Sequence, residues 1–284
     1  MITKVDIDKG LLYFGIPTEY KDRCYRCFEI IWSNSEFSES LEKAYKFLNT
    51  ADVNDLKKCW SDGEEGHLLC DGIDPFATNL VVVLGYKTCE KVAKEYGFDE
   101  QMETALKSRI RYIFEYDLTK FGAEGIRYTQ MSWAYYLIRG RVVEVGRLQY
   151  ENFDGKLVKI HIPGGKKLDK EGVLESLEDA KSVTEGMFGL KDAEFICESW
   201  LLSNQINALL DPDSNLVCFY NLFYVEDGRN CINDVLYQVF SVFKCEDYNN
   251  LPEDTTLRKK VKEQLLNNKE FKLGIGRLKT KKVM

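Results

Sequence analysis

Four residues have types and positions suited to proton transfer or charge stabilisation: Glu151, His161, Glu198 and Ser199. His161 is one of two histidines, and an unperturbed imidazole titrates near neutral pH. Arg147, Gln149 and Glu151 alternate along a predicted strand, which indicates either a functional surface or a solvent-facing ladder of charges. Glu151 is therefore the first candidate for a general base. His161 is the second, and its alternative is a structural hydrogen-bonding role.

Glu198 and Ser199 lie at the end of another predicted strand, directly before Trp200. Both could meet a substrate there. Ser199 could equally bond a local backbone group at the strand-to-helix turn, which is a common use of serine. Trp200 is better suited to filling the core than to carrying a substrate.

The loop after the His161 strand has the composition of an anion-binding segment. It reads Ile162-Pro163-Gly164-Gly165-Lys166-Lys167 and precedes a predicted helix. Glycines let the backbone approach a ligand closely, and amides at the head of a helix attract phosphate. This predicts a diphosphate site at Gly164–Lys166, with charge from Lys166 or Lys167, although Gly-Gly before a helix is also common elsewhere.

These residues belong to a predicted strand–helix–strand unit. The strand of residues 141–153 turns at Asp154-Gly155 into a return strand of residues 156–163. A helix follows from an Asp169 cap to about Phe188, and then a strand over 194–200. A two-residue loop would place His161 opposite Leu148, and hence on the sheet face opposite to Glu151; a bulge or a three-residue loop would reverse this.

The remaining elements define the domains. Apolar residues at helical spacing predict a mostly helical N-terminal domain over residues 1–125, followed by a mixed α/β or α+β domain over residues 126–284. Residues 216–225 read as a long strand, residues 235–243 are ambiguous, and Leu257, Val261 and Leu265 mark the last helix. The segment 258–284 holds ten Lys or Arg and two Asp or Glu, which is typical of a solvated helix face or of a surface for a phosphorylated ligand.

Four segments in order resemble the GNAT-like acyltransferase C-terminal domain that follows a helical N-terminal domain in bacterial proteins. They are Gly146–Glu151, Ile160–Leu168, Ser199–Leu202 and the stretch from Asp213-Ser214-Asn215 to Phe223. In that superfamily, acyl-CoA lies where two neighbouring parallel strands splay, and its pyrophosphate sits on the following loop. The resemblance implies that 159–163 and 195–199 are the splayed strands. It also implies that Ile162–Lys167 bind an acyl-CoA such as acetyl-CoA as co-substrate.

The sequence departs from that family at two points. The family loop is longer and reads Arg/Gln-x-x-Gly-x-Gly/Ala, whereas this chain has Gly-Gly-Lys-Lys. Family members often carry histidine before Ser-Trp, where this chain has Glu198. The leading hypothesis is an acyl-CoA-dependent transferase acting on an amine or similar small nucleophile. The alternatives are an acyl-CoA or phosphopantetheine-binding module without catalysis, which the two departures favour, and a protein-interaction scaffold.

Composition excludes other classes. The net charge of −7 argues against nucleic acid as the main partner, and no apolar run reaches membrane-spanning length. The first residues lack an apolar signal core, which predicts a cytoplasmic protein. The partner expected from the transferase hypothesis is a small-molecule substrate. Cys24 and Cys27, with His67 and Cys70, could form a zinc site, but the halves are far apart in sequence and nine cysteines are better explained as reduced thiols. No metal is expected. The acyl chain, the acceptor and the oligomeric state stay open.

Overall fold

The computed structural model describes residues 2–50, 74–122, 125–126 and 128–279. It contains two compact units, Met1–Glu144 and Val145–Met284. The fold class predicted from the sequence is confirmed, since a helical region precedes a mixed sheet flanked by helices. The helices of the first unit, within the described residues, are α1 (Lys4–Phe14), α2 (Lys21–Trp32), α3 (Ser35–Thr50), α4 (Ala77–Leu84), α5 (Tyr86–Tyr96), α6 (Glu100–Phe121) and α7 (Tyr128–Ile138).

Helix α4 is the centre of the first unit. All eight of its residues are buried, and it contacts the other six helices of that set. A helix that is covered on every side is apolar on every side, so its sequence lacks the helical period that marks a surface helix. Leu80–Leu84, the apolar run of this helix, therefore shows no helical period in the sequence.

Helix α7 is a short helix that ends just before Gly140. That glycine has a φ of 66°, which permits the left-handed turn after the helix. The helix packs against α4, α5 and α6, and it therefore belongs to the first unit. The division drawn from the sequence at residue 125 lies before this helix, whereas the first unit extends along the chain to Glu144.

The second unit is built on a six-stranded mixed sheet whose first strand, β1, spans the boundary between the units. In chain order the strands are β1 (Val142–Val145), β2 (Leu148–Asn152), β3 (Leu157–His161), β4 (Glu194–Ser199), β5 (Phe223–Asn230) and β6 (Lys272–Leu278). Their order in the sheet is β1-β2-β3-β4-β6-β5. The helices of this unit are α8 (Lys170–Phe188), α9 (Asn204–Asn207), α10 (Asn215–Tyr220), α11 (Ile232–Val235) and α12 (Thr256–Leu266).

Strands β3 and β4 are parallel and joined by α8, as predicted for the strand–helix–strand unit. Ser176 on α8 fixes the helix to the sheet. Its hydroxyl donates to the Val145 carbonyl and accepts from the Leu148 amide at 3.2 Å, and the buried Tyr150 hydroxyl donates to the Ser176 carbonyl at 2.8 Å. These buried polar groups satisfy one another, so the helix and the sheet face have one defined relative position.

Two predictions about the last third of the chain are wrong. Residues 216–225 do not form one strand, because Asn215–Tyr220 is helix α10 and β5 begins at Phe223. The Ser214 side chain caps α10 by accepting from the Val217 amide. The second error concerns β6, which lies in the segment 258–284 that was interpreted as a solvated helix face; of its described residues, up to 279, only those of α12 are helical.

Strand β6 cannot be recognised as a strand from the sequence, because glycines interrupt its side-chain pattern. A Cβ at Gly274 would lie 2.1 Å from the Leu202 carbonyl oxygen, and one at Gly276 would lie 2.7 Å from Leu202 Cδ1. Glycine within a strand marks such close approaches, and it removes the alternating side chains that identify a strand in sequence.

Candidate active site

The pairing between the parallel strands β3 and β4 is short. The two strands are paired at Leu157–Glu194, Val158–Phe195 and Lys159–Ile196, and the ladder ends there. Beyond that point, Ile160 and His161 stay paired with β2, while the rest of β4 stays paired with β6. Two adjacent parallel strands thus part in the middle of a sheet. The backbone that faces this opening can accept an extended ligand.

The hairpin between β2 and β3 has a three-residue loop, which corrects the predicted two-residue loop. The Phe153 amide donates to the Leu157 carbonyl at 3.0 Å, so Asp154, Gly155 and Lys156 form the loop. Side chains select this loop: the Asp154 carboxylate accepts from the amides of Lys156 and Leu157. The Leu157 hydrogen bond is the largest cause that lowers the pKa of Asp154 below its ordinary value.

This loop shifts the register by one residue and brings Glu151 and His161 to the same face. Gln149 is opposite His161, and Glu151 is opposite Lys159. His161 Nε2 lies 2.9 Å from Glu151 Oε2. The prediction of opposite faces is therefore wrong, because a shift of one residue moves every side chain of a strand to the other side.

The polar face of β2 is buried. The exposed fractions are 1% for Gln149, 6% for Glu151 and 7% for Arg147, so the alternative of a solvent-facing ladder is wrong. The His161 side chain is 29% exposed to solvent, whereas the Glu151 side chain is 7% exposed. The carboxylate therefore lies behind the imidazole, and the imidazole is the partner that a reactant can reach.

Glu198 lies across the opening from His161. Lys159 and Ile196 are level in the β3–β4 register, and His161 and Glu198 are each two residues further along. Side chains two residues apart in a strand share a face, so both flank the opening on one side of the sheet. Lys159 Nζ lies 3.5 Å from Glu198 Oε2 and 3.8 Å from the centre of the Phe153 ring.

Ser199 has the local role that the sequence left as its alternative. Its hydroxyl accepts from the Leu201 amide at 3.1 Å and caps the 3₁₀ turn Trp200–Leu202. It also follows Glu198 in the strand, so its side chain points to the opposite face. Trp200 is half-buried and packs against the apolar cluster around Ile206 and Val235. Of the four candidate residues, the structure thus brings together Glu151 and His161, with Glu198 facing them across the opening.

The loop after β3 is exposed from Gly164 to Lys167, between the buried Pro163 and Leu168. Gly165 has a φ of 89°, a conformation that favours glycine. The buried Arg147 side chain fixes the backbone of this loop through hydrogen bonds. Its guanidinium donates to the carbonyls of Lys167, Pro163 and Lys166 at 2.8, 3.1 and 2.9 Å.

The prediction that Gly164–Lys166 form the head of the helix is wrong. Helix α8 begins at Lys170, and its cap is Asp169, as the sequence indicates. The Asp169 carboxylate accepts from the Gly172 amide at 2.8 Å, and this hydrogen bond lowers the pKa of Asp169. The helix terminus therefore already holds a negative charge, and the loop must receive any further anion on its own amides.

The part of the chain that contains the β3–β4 opening and the loop after β3 matches a known protein family. Residues 142–278 match the profile of the family described as the GNAT-like C-terminal domain. The chain carries a GNAT-like C-terminal domain. The resemblance noted in the sequence is thereby confirmed for the GNAT-like domain, which includes the opening and the loop.

Solved structures extend the likeness to the helical unit. An acyltransferase in complex with decanoyl-CoA is 21% identical with a TM-score of 0.72, over 94% of this chain and 85% of that one. An acyltransferase mutant in complex with octanoyl-CoA is 18% identical with a TM-score of 0.73, over 95% and 86%. An acyltransferase in complex with CoA and 10C-teicoplanin is 20% identical with a TM-score of 0.70, also over 95% and 86%. A search of curated proteins found no match. At these identities the likeness shows the fold.

Cysteines and acids outside the GNAT-like domain form no second site in the described ranges. No group of three or more His, Cys, Asp or Glu residues there could hold a metal ion. Cys24 and Cys27 are buried in α2, and burial raises the pKa of each thiol to about 12. His67 and Cys70, the other half of the zinc hypothesis, lie outside the described residues. No described helix is both long and apolar enough to cross a membrane.

The contact of Arg147 with the loop after β3 is not predictable from the sequence, where this residue is only one of three alternating polar residues. Arginine is rarely fully buried unless its donors find partners.

Proposed function

We propose that the protein is an acyl-CoA-dependent acyltransferase that acts on an amine or another small nucleophile. The observation that carries this proposal is the end of the β3–β4 ladder at Lys159–Ile196, with the exposed Gly164–Lys167 loop directly beyond it. The opening suits an extended pantetheine arm, and the loop suits a diphosphate. The neighbouring structures with decanoyl-CoA and octanoyl-CoA support the same class of donor for this chain.

His161 is the general base in this proposal, and Glu151 positions it. Glu151 was the first candidate from the sequence, but its carboxylate is buried behind the more exposed imidazole. A carboxylate at 2.9 Å fixes the ring and stabilises the imidazolium that forms when the base takes a proton. The hydrogen-bonding role and the catalytic role of His161 then coincide.

The reaction has a simple balance. The lone pair of the neutral amine forms the C–N bond with the thioester carbonyl carbon, and the C–S electron pair leaves with CoA thiolate. The amine proton passes to His161 and then to the thiolate. Glu198, across the opening, attracts the substrate as an ammonium ion, which loses one proton to solvent before the neutral amine attacks. Lys159 Nζ lies 3.5 Å from Glu198 Oε2 on the same side of the sheet.

Thermal shift and thiol release test the proposal in two steps. A ligand that binds only the folded state raises the melting temperature, so acetyl-, octanoyl- and decanoyl-CoA should each be compared with adenosine 3′,5′-bisphosphate. Release of free CoA thiol should then depend on an added amine. No shift with any acyl-CoA at millimolar concentration, in protein that unfolds cooperatively, would refute the donor assignment.

The second candidate is a GNAT-like module that binds acyl-CoA without catalysis. The short Gly-Gly-Lys-Lys loop and Glu198 before Ser-Trp favour it. It predicts a melting-temperature increase with acyl-CoA but no amine-dependent thiol release across a panel of amines, and no dependence of CoA binding on His161. The cytoplasmic location stays a prediction from the sequence.

A further inference from the structure

Arg147 is the only side chain, in the part of the second unit that the structure describes, seen to bind three carbonyls of the loop after β3. The three acceptors belong to Pro163, Lys166 and Lys167, at distances of 2.8 to 3.1 Å. The residue is 7% exposed, so its charge lies under the loop and not in solvent. A planar guanidinium has donors in fixed directions, and three simultaneous bonds define the conformation of the backbone that accepts them.

The carbonyl directions determine where the amides point. In a trans peptide unit the N–H is antiparallel to the C=O. The amides that share peptide units with the three bound carbonyls are those of Gly164, Lys167 and Leu168. They therefore point to the side of the loop away from Arg147. In the described part of the chain, the Lys167 and Leu168 amides donate to no other group. Successive amides directed outward make a concave anion-binding surface.

The charges around the loop favour the same occupant. The guanidinium lies beneath the loop, and the exposed side chains of Lys166 and Lys167 lie on it. The helix terminus beside it is already capped by Asp169, so the amides of α8 do not compete for the ligand. The loop thus combines outward amides with three positive charges, and its surroundings stay net positive when the Asp169 carboxylate is counted. This balance suits a group that carries two adjacent negative charges.

We propose that Arg147 is a positioning residue that shapes this loop to bind the diphosphate of a CoA thioester, without touching the ligand itself. The inference rests on the proposed function and deepens it, because it assigns the selection of CoA over phosphate-free pantetheine thioesters to one side chain. Lysine cannot replace it, since an ammonium group cannot reach three carbonyls in the directions of a guanidinium.

The test compares acetyl-CoA with acetyl-pantetheine, which has the same thioester arm but lacks the diphosphate and the adenosine 3′-phosphate attached to it. Arg147→Lys should raise the Kd for acetyl-CoA about tenfold or more, the loss expected when charged hydrogen bonds are misaligned. Its Kd for acetyl-pantetheine and its kcat at saturating acetyl-CoA should match those of the wild type. Arg229→Lys, at an exposed arginine of the same unit, is the matched control and should leave both Kd values unchanged.

A second variant keeps the test valid if the Arg147→Lys protein does not fold. Gly165→Ala strains the exposed loop at its positive φ without altering Arg147, and it should cause the same selective loss for acetyl-CoA. Unchanged acetyl-CoA binding in both variants, or equal losses for the two thioesters, would overturn the inference while leaving the proposed function standing. Wild-type protein that binds neither thioester would remove the proposed function itself, and the inference with it.

Discussion

The Glu151–His161 pair offers the sharpest test of the proposed chemistry, because its two members should act as one unit. The perturbation is a double-mutant cycle of Glu151→Gln, His161→Gln and the double variant. Glutamine at 151 keeps a hydrogen-bonding oxygen within reach of the ring but removes the negative charge. Glutamine at 161 removes the proton acceptor.

The magnitudes follow from the geometry. Two unit charges 2.9 Å apart interact by about 6 kcal/mol at an effective dielectric constant of about 20. The imidazole is partly exposed and the glutamine hydrogen bond remains, so a net loss of about 1.5–3 kcal/mol is expected for Glu151→Gln. That corresponds to a decrease of about 10- to 100-fold in kcat/KM. Removal of the base itself should cost about 10²- to 10⁴-fold.

The assay is amine-dependent release of CoA thiol, measured as kcat/KM for each variant, with urea unfolding as the check on the fold. Glu194→Gln, on the same strand as Glu198 but at its far end, is the control and should stay within about twofold of the wild type. Because Glu151 acts only through His161, the double variant should be no slower than His161→Gln alone. Losses that multiply would show that the two residues act separately. Full activity of His161→Gln would exclude it as the base.

Two further predictions concern the structure that carries the site. Gly274→Ala should lower the free energy of unfolding by about 1–3 kcal/mol, because its Cβ would clash with the Leu202 carbonyl. Gly186→Ala, on an open face of α8, is the control and should raise the free energy of unfolding by about 0.5–1 kcal/mol. Both are measured by urea unfolding, and equal effects would contradict the close approach of Leu202 to Gly274. Asp169→Ala should lower the melting temperature at pH 7. The Gly172 hydrogen bond lowers the pKa of Asp169 in the folded state, so the stabilisation is fully present above about pH 4. It is lost as the pH falls through the lower folded pKa. The melting temperatures of the wild type and of Asp169→Ala should therefore converge in acid.

The sequence could predict those elements whose caps and periods are local. Helix α8, with its Asp169 cap and its Gly189 end, is recognised from residues within one turn of each terminus. Strands β3 and β4 and their parallel relation follow from the strand–helix–strand order. The opening between them was expected only through the family resemblance, because no local pattern indicates where pairing between two strands stops.

Local sequence patterns do not predict elements that depend on contacts with residues far away in the chain. The glycines of β6 are needed because Leu202 approaches its backbone, and this contact joins residues that are far apart in the chain. Helix α10 carries aromatic and β-branched residues that favour a strand, yet the Ser214 cap and burial of Phe219 select a helix. Tertiary packing overrides propensity in both cases.

The contact between Glu151 and His161 depends on the hairpin loop, whose length the sequence rule for hairpins predicts wrongly. Asp-Gly between apolar strands favours a two-residue turn, but the Asp154 carboxylate and the Asn152 side chain bind the amides of residues 155–157 and stabilise a loop one residue longer. That one residue decides whether His161 meets Tyr150 and the core or Glu151 and the opening. The side chains of Asn152 and Asp154 thereby set the face of the sheet on which His161 lies. Shortening the loop to two residues would separate Glu151 from His161 without altering either residue.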